Sequence, residues 1–265
     1  MSSPRLRASV VAYLNSVPLF WGLQHGPHSG LIDLDFMLPS KCADALRSGE
    51  VQAAIIPSIE YQRIENLKIV PGLCVSSAGP VRSVLLISKV PAARIRALAL
   101  DTSSRTSVCL VQILLQRRYS VRAELKLMAP NLAEMLRECD AALIIGDPAL
   151  ASDFPGLHVY DLADEWRGLT GLPFVFAFWV VRDGADSGLV TPLQQATAYS
   201  LAHLDEIAQE ETRRTRLPIP LILSYLSDNI DFCLSEKSLE GLRTFYRFAH
   251  ELGLIPAVKP LQFLA

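Results

Sequence analysis

Four times along this chain an apolar, strand-like run stops at a small polar residue beside a proline or a hydroxyl cluster, and a helical pattern follows. Ala8-Ser9-Val10-Val11-Ala12 runs into Tyr13-Leu14-Asn15-Ser16-Val17-Pro18, and Ala53-Ala54-Ile55-Ile56 into Pro57-Ser58-Ile59-Glu60. Ala97-Leu98-Ala99-Leu100 ends in Asp101-Thr102-Ser103-Ser104-Arg105-Thr106-Ser107, and Ala141-Ala142-Leu143-Ile144-Ile145 ends in Gly146-Asp147-Pro148. Strands that hand over to helices in this way build open α/β sheets. There the carboxyl ends of parallel strands line a ligand crevice, and helix N-termini offer unpaired N–H groups to an anion. The plain alternative is that each polar residue is an N-cap stabilising its helix by about 1 kcal/mol. Four such junctions, one with more hydroxyls than a cap uses, favour a shared pocket.

The chain's 265 residues are enough for one large domain or two smaller ones, and half of them are hydrophobic. A net charge of −2 gives no general attraction to nucleic acid or to an anionic membrane, so anion recognition has to be local. Cysteines 42, 74, 109, 139 and 233 show neither Cys-x-x-Cys spacing nor neighbouring histidine pairs. They read as small core residues in a reducing compartment, not as staples or metal ligands. Met1-Ser2-Ser3-Pro4-Arg5-Leu6-Arg7 lacks the apolar stretch of a signal peptide, which predicts a cytoplasmic protein. The longest apolar run, Leu172 to Val181, is ten residues, against the ~20 of a membrane span, and reads as a buried strand.

Strand and helix patterns alternate to residue 150, which predicts βα units and a mostly parallel sheet. Helices are expected from Ser40, as cap, to a stop at Gly49, over Thr106 to Arg118, and over Leu132 to Glu138 with Asn131 as cap. Helical patterns also begin at Pro192 and near Ser235, the latter stopping at Gly253. Two β-rich segments, 80–88 and 172–181, enclose a compact stretch and read as two crossings of a hinge. The expected domains are therefore a discontinuous first lobe, 1–88 with 182–265, and an inserted second lobe, 89–181, with a ligand between them.

Phosphate-loop, dinucleotide, zinc-protease and nucleophile-elbow signatures are absent, and all five histidines lie outside the four junctions. The polar groups left near a pocket are amides, hydroxyls, Asp147, Glu60 and Arg82. Asp147 is either a helix cap or a catalytic group, and Glu60 either a first-turn acid or a pocket residue. Arg82, expected as a buried guanidinium on a hinge strand, either pairs structurally or binds a carboxylate in bidentate fashion.

At these same residues the sequence resembles the chorismate dehydratase family of the futalosine route to menaquinone. The resemblance rests on Tyr13 to Leu19, Ile56 to Tyr61, Gly79 to Leu86, Ile145 to Leu150 and Gly171 to Ala177, and extends over nearly the whole chain. It implies an α/β, two-lobed type II periplasmic-binding-protein-like fold with a cleft between the lobes and two hinge crossings. It also implies a cytoplasmic lyase, a hydro-lyase working without metal or organic cofactor. Its partner would be a small dicarboxylate, chorismate, with no nucleic acid and no membrane; the oligomeric state is left open.

The implied reaction removes water from chorismate to give 3-[(1-carboxyvinyl)oxy]benzoate. The C3 proton is acidified vinylogously by the ring carboxylate, and its loss with the C4 hydroxyl makes an aromatic ring, so positioning and charge stabilisation are the protein's main tasks. Ser58, Ser104, Thr106 and Ser107 are the expected carboxylate donors, with Arg82 as a charged one. Ser16, Ser83, Arg105 and Gly146 complete the expected substrate-binding set. Asn15 and Asp147 are the expected catalytic residues: Asn15 orients the C4 hydroxyl or the side-chain carboxylate, and being an amide cannot be the base. The base is either Asp147 or the substrate's enolpyruvyl carboxylate, and the lack of a histidine favours the substrate. Two alternatives stand beside this one: the related family that makes 1,4-dihydroxy-6-naphthoate, disfavoured by Gly146-Asp147 where it carries a histidine base, and a non-catalytic binder of small carboxylates.

Overall fold

The computed structural model describes residues 6–101 and 103–265. Met1 to Arg5, part of the segment read above for a signal peptide, and Thr102 of the hydroxyl run lie outside the described residues. Eleven strands are described: β1 Leu6–Val11, β2 Ile32–Met37, β3 Ala53–Pro57, β4 Leu67–Ser77, β5 Val84–Ser88, β6 Ala97–Asp101, β7 Glu124–Met128, β8 Ala141–Ile145, β9 His158–Asp161, β10 Phe174–Arg182 and β11 Asp231–Cys233. They form a six-stranded sheet in the order β11-β4-β10-β3-β1-β2 and a five-stranded sheet in the order β7-β6-β8-β5-β9.

Both sheets are mixed, where a mostly parallel sheet was expected. The parallel pairs include β1 with β2 and β3, and β6 with β7 and β8, among them the four strands β1, β3, β6 and β8 whose junctions stand out in the sequence. The antiparallel members include β10 against β3 and β5 against both β8 and β9. These two are the segments expected to cross a hinge. Their uninterrupted apolar character has a different cause: each has strands on both sides and is buried along most of its length.

The chain divides into two compact units, one holding the residues up to Ser76 with Val175–Ser235 and Lys259–Ala265, the other Ser77–Phe174 with Glu236–Val258. This differs from the expected limits at 88/89 and 181/182. β5 joins the second unit because it pairs with β8 and β9, and β10 joins the first because it pairs with β3. The helix Glu236–Glu251 also belongs to the second unit, for a reason in its own sequence. A Cβ at Gly241 would lie 2.1 Å from the Pro173 carbonyl oxygen, so only glycine lets the helix approach that closely. Phe245 then packs against Trp166 and Phe174 with ring centroids 6.2 and 4.9 Å apart, and Trp166 Nε1 donates to Pro173 O at 3.2 Å.

Local punctuation follows the sequence closely. Asn131 Oδ1 accepts from Glu134 N at 3.3 Å and starts the helix Leu132–Glu138. Gly49, at φ +82°, ends the helix Pro39–Ser48 in the left-handed conformation that glycine adopts most readily. That helix begins with Pro39 in its first turn and Leu38 as the flanking residue, so Ser40 is not its cap. Four of the cysteines are buried and Cys233 is exposed, and burial pushes the Cys42 thiol up to about 12. Among the described residues no helix is long and apolar enough to cross a membrane.

Candidate functional site

The sequence junctions fall on two sheet edges, one in each unit. In the first unit, β1 and β3 run parallel with Ser9 opposite Ala54, so their carboxyl ends emerge together. The start of β10 reaches the same edge, with Ala177 opposite Pro57. Asn15 and Ser16 lie in the short turn Leu14–Leu19 that follows β1, and Ser58 opens the turn Ser58–Gln62 that follows β3.

In the second unit, β6 and β8 run parallel with Ala99 opposite Ala142, and β5 enters antiparallel with Val84 opposite Ile145. That register gathers the residues after β6, the residues after β8 and those just before β5 at one edge. Gly146 N donates to Ser83 O at 2.7 Å and ties two of these segments together. Ser104, Arg105, Thr106 and Ser107 form the start of the helix Arg105–Arg118. Gly146, at φ +72° and ψ −155°, occupies a region nearly closed to other residues and turns β8 into Asp147.

At the four junctions the flanking residues are Tyr13, Pro57, Ser104 and Gly146, of which Ser104 has a side chain of the usual capping kind and makes no cap hydrogen bond with it. Elsewhere in the same chain Asn131, Asp161 and Asp186 all cap in the ordinary way. Asn15 Oδ1 instead accepts from Ser16 Oγ at 3.1 Å, and among the described residues its Nδ2 group has no partner. Ser58 Oγ donates to Val175 O at 2.8 Å, so this hydroxyl stitches β3 to β10, and its proton is directed at the backbone and not outward as expected of a carboxylate donor.

Two charged groups differ from expectation. Glu60 is only 1% exposed and lies between Arg47 at 2.7 Å and Arg63 at 3.0 Å, so its charge is matched within the first unit. Arg82 is neither buried nor on a strand: it sits exposed in the loop before β5, at φ +61°. Its backbone N–H donates to Asp161 Oδ2 at 2.6 Å, while its guanidinium has no hydrogen bond or ion pair among the described residues.

Two residues that sequence reasoning did not single out also stand at the second edge. Ser103 is 9% exposed and among the described residues its Oγ has no hydrogen-bond partner, although its N–H is held by Asp101 Oδ1 at 2.8 Å. A buried hydroxyl without a partner costs roughly 1–3 kcal/mol, so this one is a candidate to meet a ligand atom. Asp161 accepts four backbone N–H bonds, two from its own helix and two from the 81–82 loop. Burial pushes its carboxyl up from the ordinary aspartate value, and the four N–H donors pull it back. Only the length of the hydroxyl run hints at Ser103, and Asp161 reads in sequence as a simple helix start.

Among the described residues, the second edge combines hydroxyl and backbone N–H donors with the Arg82 guanidinium, a set that suits a carboxylate, and its own carboxylates, Asp101, Asp147 and Asp161, stand there without a histidine. A family model described as menaquinone biosynthesis matches residues 6–251. A chorismate dehydratase of Thermus thermophilus is 33% identical, over 82% of this chain and 85% of its own. A chorismate dehydratase of Campylobacter jejuni is 28% identical, over 92% and 97%. Among solved structures, the periplasmic aliphatic sulphonate binding protein of Escherichia coli aligns with a TM-score of 0.64 at 15% identity, covering 99% of this chain and 94% of that one. At such low identity this likeness establishes the fold alone, that of the periplasmic binding proteins.

Proposed function

Because the chain belongs to the menaquinone biosynthesis family and is related there to chorismate dehydratases, we propose that it is a hydro-lyase converting chorismate to 3-[(1-carboxyvinyl)oxy]benzoate and water. The C3–H and C4–O bonds break, the electron pair of C3–H completes the aromatic ring, and the hydroxyl leaves with a proton as water. Aromatisation lowers the barrier from the substrate side, so the protein's part is orientation and stabilisation of the delocalised carboxylate charge.

The observation that supports the reading is the register that gathers the polar residues after β6, after β8 and before β5 at one sheet edge. Asn15 presents Nδ2 as a donor because Ser16 occupies Oδ1, and in this reading it orients the C4 hydroxyl. Ser104, Thr106 and Ser107, with Arg105 at the same helix start and Ser83, Gly146 and Arg82 beside them, hold carboxylate oxygens; Ser16 and Ser58 shape the first edge. The enolpyruvyl carboxylate of the substrate takes the C3 proton, with Asp147 as the competing base. In this reading the protein works in the cytoplasm.

The test is direct. Purified protein mixed with chorismate should produce an ultraviolet-absorbing aromatic compound 18 mass units lighter than the substrate, the mass of one water. Unchanged chorismate recovered from a saturated protein would instead identify a carboxylate binder.

A further inference from the structure

The two carboxylate oxygens of Asp161, at the end of β9, do different things. Oδ1 accepts from Ala163 N at 3.0 Å and Asp164 N at 3.3 Å, which caps the helix Leu162–Thr170, and from Val81 N at 3.0 Å. Oδ2 accepts from Arg82 N alone, at 2.6 Å. The helix needs only the first oxygen. The second serves the loop.

That loop holds an arginine in a conformation that disfavours it. At φ +61°, Arg82 lies in the left-handed region, where a glycine fits without steric penalty and a long side chain does not. Arg216 shares a positive φ as the flanking residue of a helix C-terminus, a place where this conformation is routine. Arg82 closes no helix. Its backbone is kept there from outside: Asp161 holds residues 81 and 82, Arg167 Nη1 donates to Ala78 O at 3.2 Å, and Ser77 Oγ donates to Gly79 O at 2.8 Å. A residue whose backbone is strained, whose side chain has no partner among the described residues and whose neighbour Ser83 receives the Gly146 N–H at 2.7 Å is placed for use at that edge.

We propose that Asp161 is a positioning residue: through the Arg82 amide it locks Arg82 in its left-handed conformation, so that the guanidinium is presented at the edge beside Gly146 and Asp147 to a carboxylate of the substrate. The inference rests on the dehydratase reading and adds to it the residue that acts through Arg82.

Asp161→Asn isolates the effect. With its amide oxygen in the Oδ1 place it keeps three of the four bonds, the helix cap included, and turns an N–H donor toward Arg82 N–H, breaking that bond alone. Asp161→Ser, which also caps but is too short to reach the loop, serves as a second variant. Kinetics on chorismate should show KM raised about tenfold or more by Asp161→Asn, by Asp161→Ser and by Arg82→Gly, with kcat within about threefold of wild type, the scale of one charge-assisted contact. The double variant Asp161→Asn/Arg82→Gly should match Arg82→Gly alone, since Asp161 has nothing left to position. Arg82→Gly should also unfold at a higher temperature than wild type, the strain having been removed.

Losses that multiply in the double variant, or a wild-type KM in both Asp161 variants, overturn the positioning role while leaving the dehydratase reading intact. A wild-type protein that leaves chorismate unchanged overturns that reading and the assignment of Arg82 with it.

Discussion

Ser16 Oγ lies 3.1 Å from Asn15 Oδ1 and donates to it, which fixes the amide so that Nδ2 is the donor left over. A fixed neutral donor aimed at a developing charge contributes to rate without having to reorganise during the reaction. Asn15→Ala should lower kcat on chorismate by about 10²-fold, the effect of removing one such donor. Asn15→Asp, which replaces the donor with an anion facing a dianionic substrate, should be at least as damaging. Steady-state kinetics of both variants decide the matter; an Asn15→Ala enzyme of normal kcat would remove Asn15 from the reaction. Ser16→Ala should have a smaller effect of the same kind.

Asp147 separates the two possible bases. Removing a general base typically costs about 10² to 10⁴ in rate. If the substrate's own carboxylate takes the C3 proton, Asp147→Asn should keep its single-turnover rate within about tenfold of wild type, well short of that loss. A fall of the full size would assign the proton to Asp147.

The sequence made the parallel strands and their junctions readable because each is a local pattern: an apolar run, a small polar residue, a helix. β1, β3, β6 and β8 all end within one residue of the place that pattern predicts, and Asn131 and Gly49 bound their helices as local chemistry requires. Ser40 was misplaced as a cap by a local effect, Pro39 opening the helix one residue earlier; the other misplacements involve contacts distant in the chain. β5 and β10 read correctly as strands, but an apolar run does not say which sheet receives it. Glu236–Glu251 reads as a helix, yet its unit is set by the approach of Gly241 to Pro173. Arg82 was expected to be buried on a hinge strand, while it lies exposed in the loop before β5 at a positive φ. Whether a hydroxyl has a partner is likewise a tertiary fact, so Ser103 looks in sequence like any other member of its run.

Ser103 gives a prediction with two opposed signs. Its unpartnered buried hydroxyl destabilises the free protein, so Ser103→Ala should raise the unfolding temperature, corresponding to roughly 1 kcal/mol or more. If the hydroxyl meets a ligand oxygen, the same variant should lose about tenfold in affinity, one hydrogen bond's worth. Thermal unfolding with and without the aromatic product measures both: the variant should melt higher when free and gain less on addition of product. A variant stabilised equally in both conditions would make Ser103 a packing defect.

Two aspartates give stability opposite dependences on pH. Asp140 Oδ2 accepts from Arg96 N at 2.8 Å and Ala97 N at 3.2 Å, and the Arg96 N–H foremost holds its carboxyl below the ordinary value. A lowered folded value means that its contribution is present above the unfolded value and is lost as pH falls through the folded one. Asp161 is raised by burial, so its contribution is present below the unfolded value and is lost as pH rises through the folded one. Unfolding temperature measured against pH should therefore lose part of its acid slope, at and below about pH 4, in Asp140→Asn. Asp161→Asn should instead remove a decline that begins above about pH 4. Identical pH profiles for wild type and Asp140→Asn would show that the Arg96 and Ala97 amides do not favour the charged carboxylate in the folded chain.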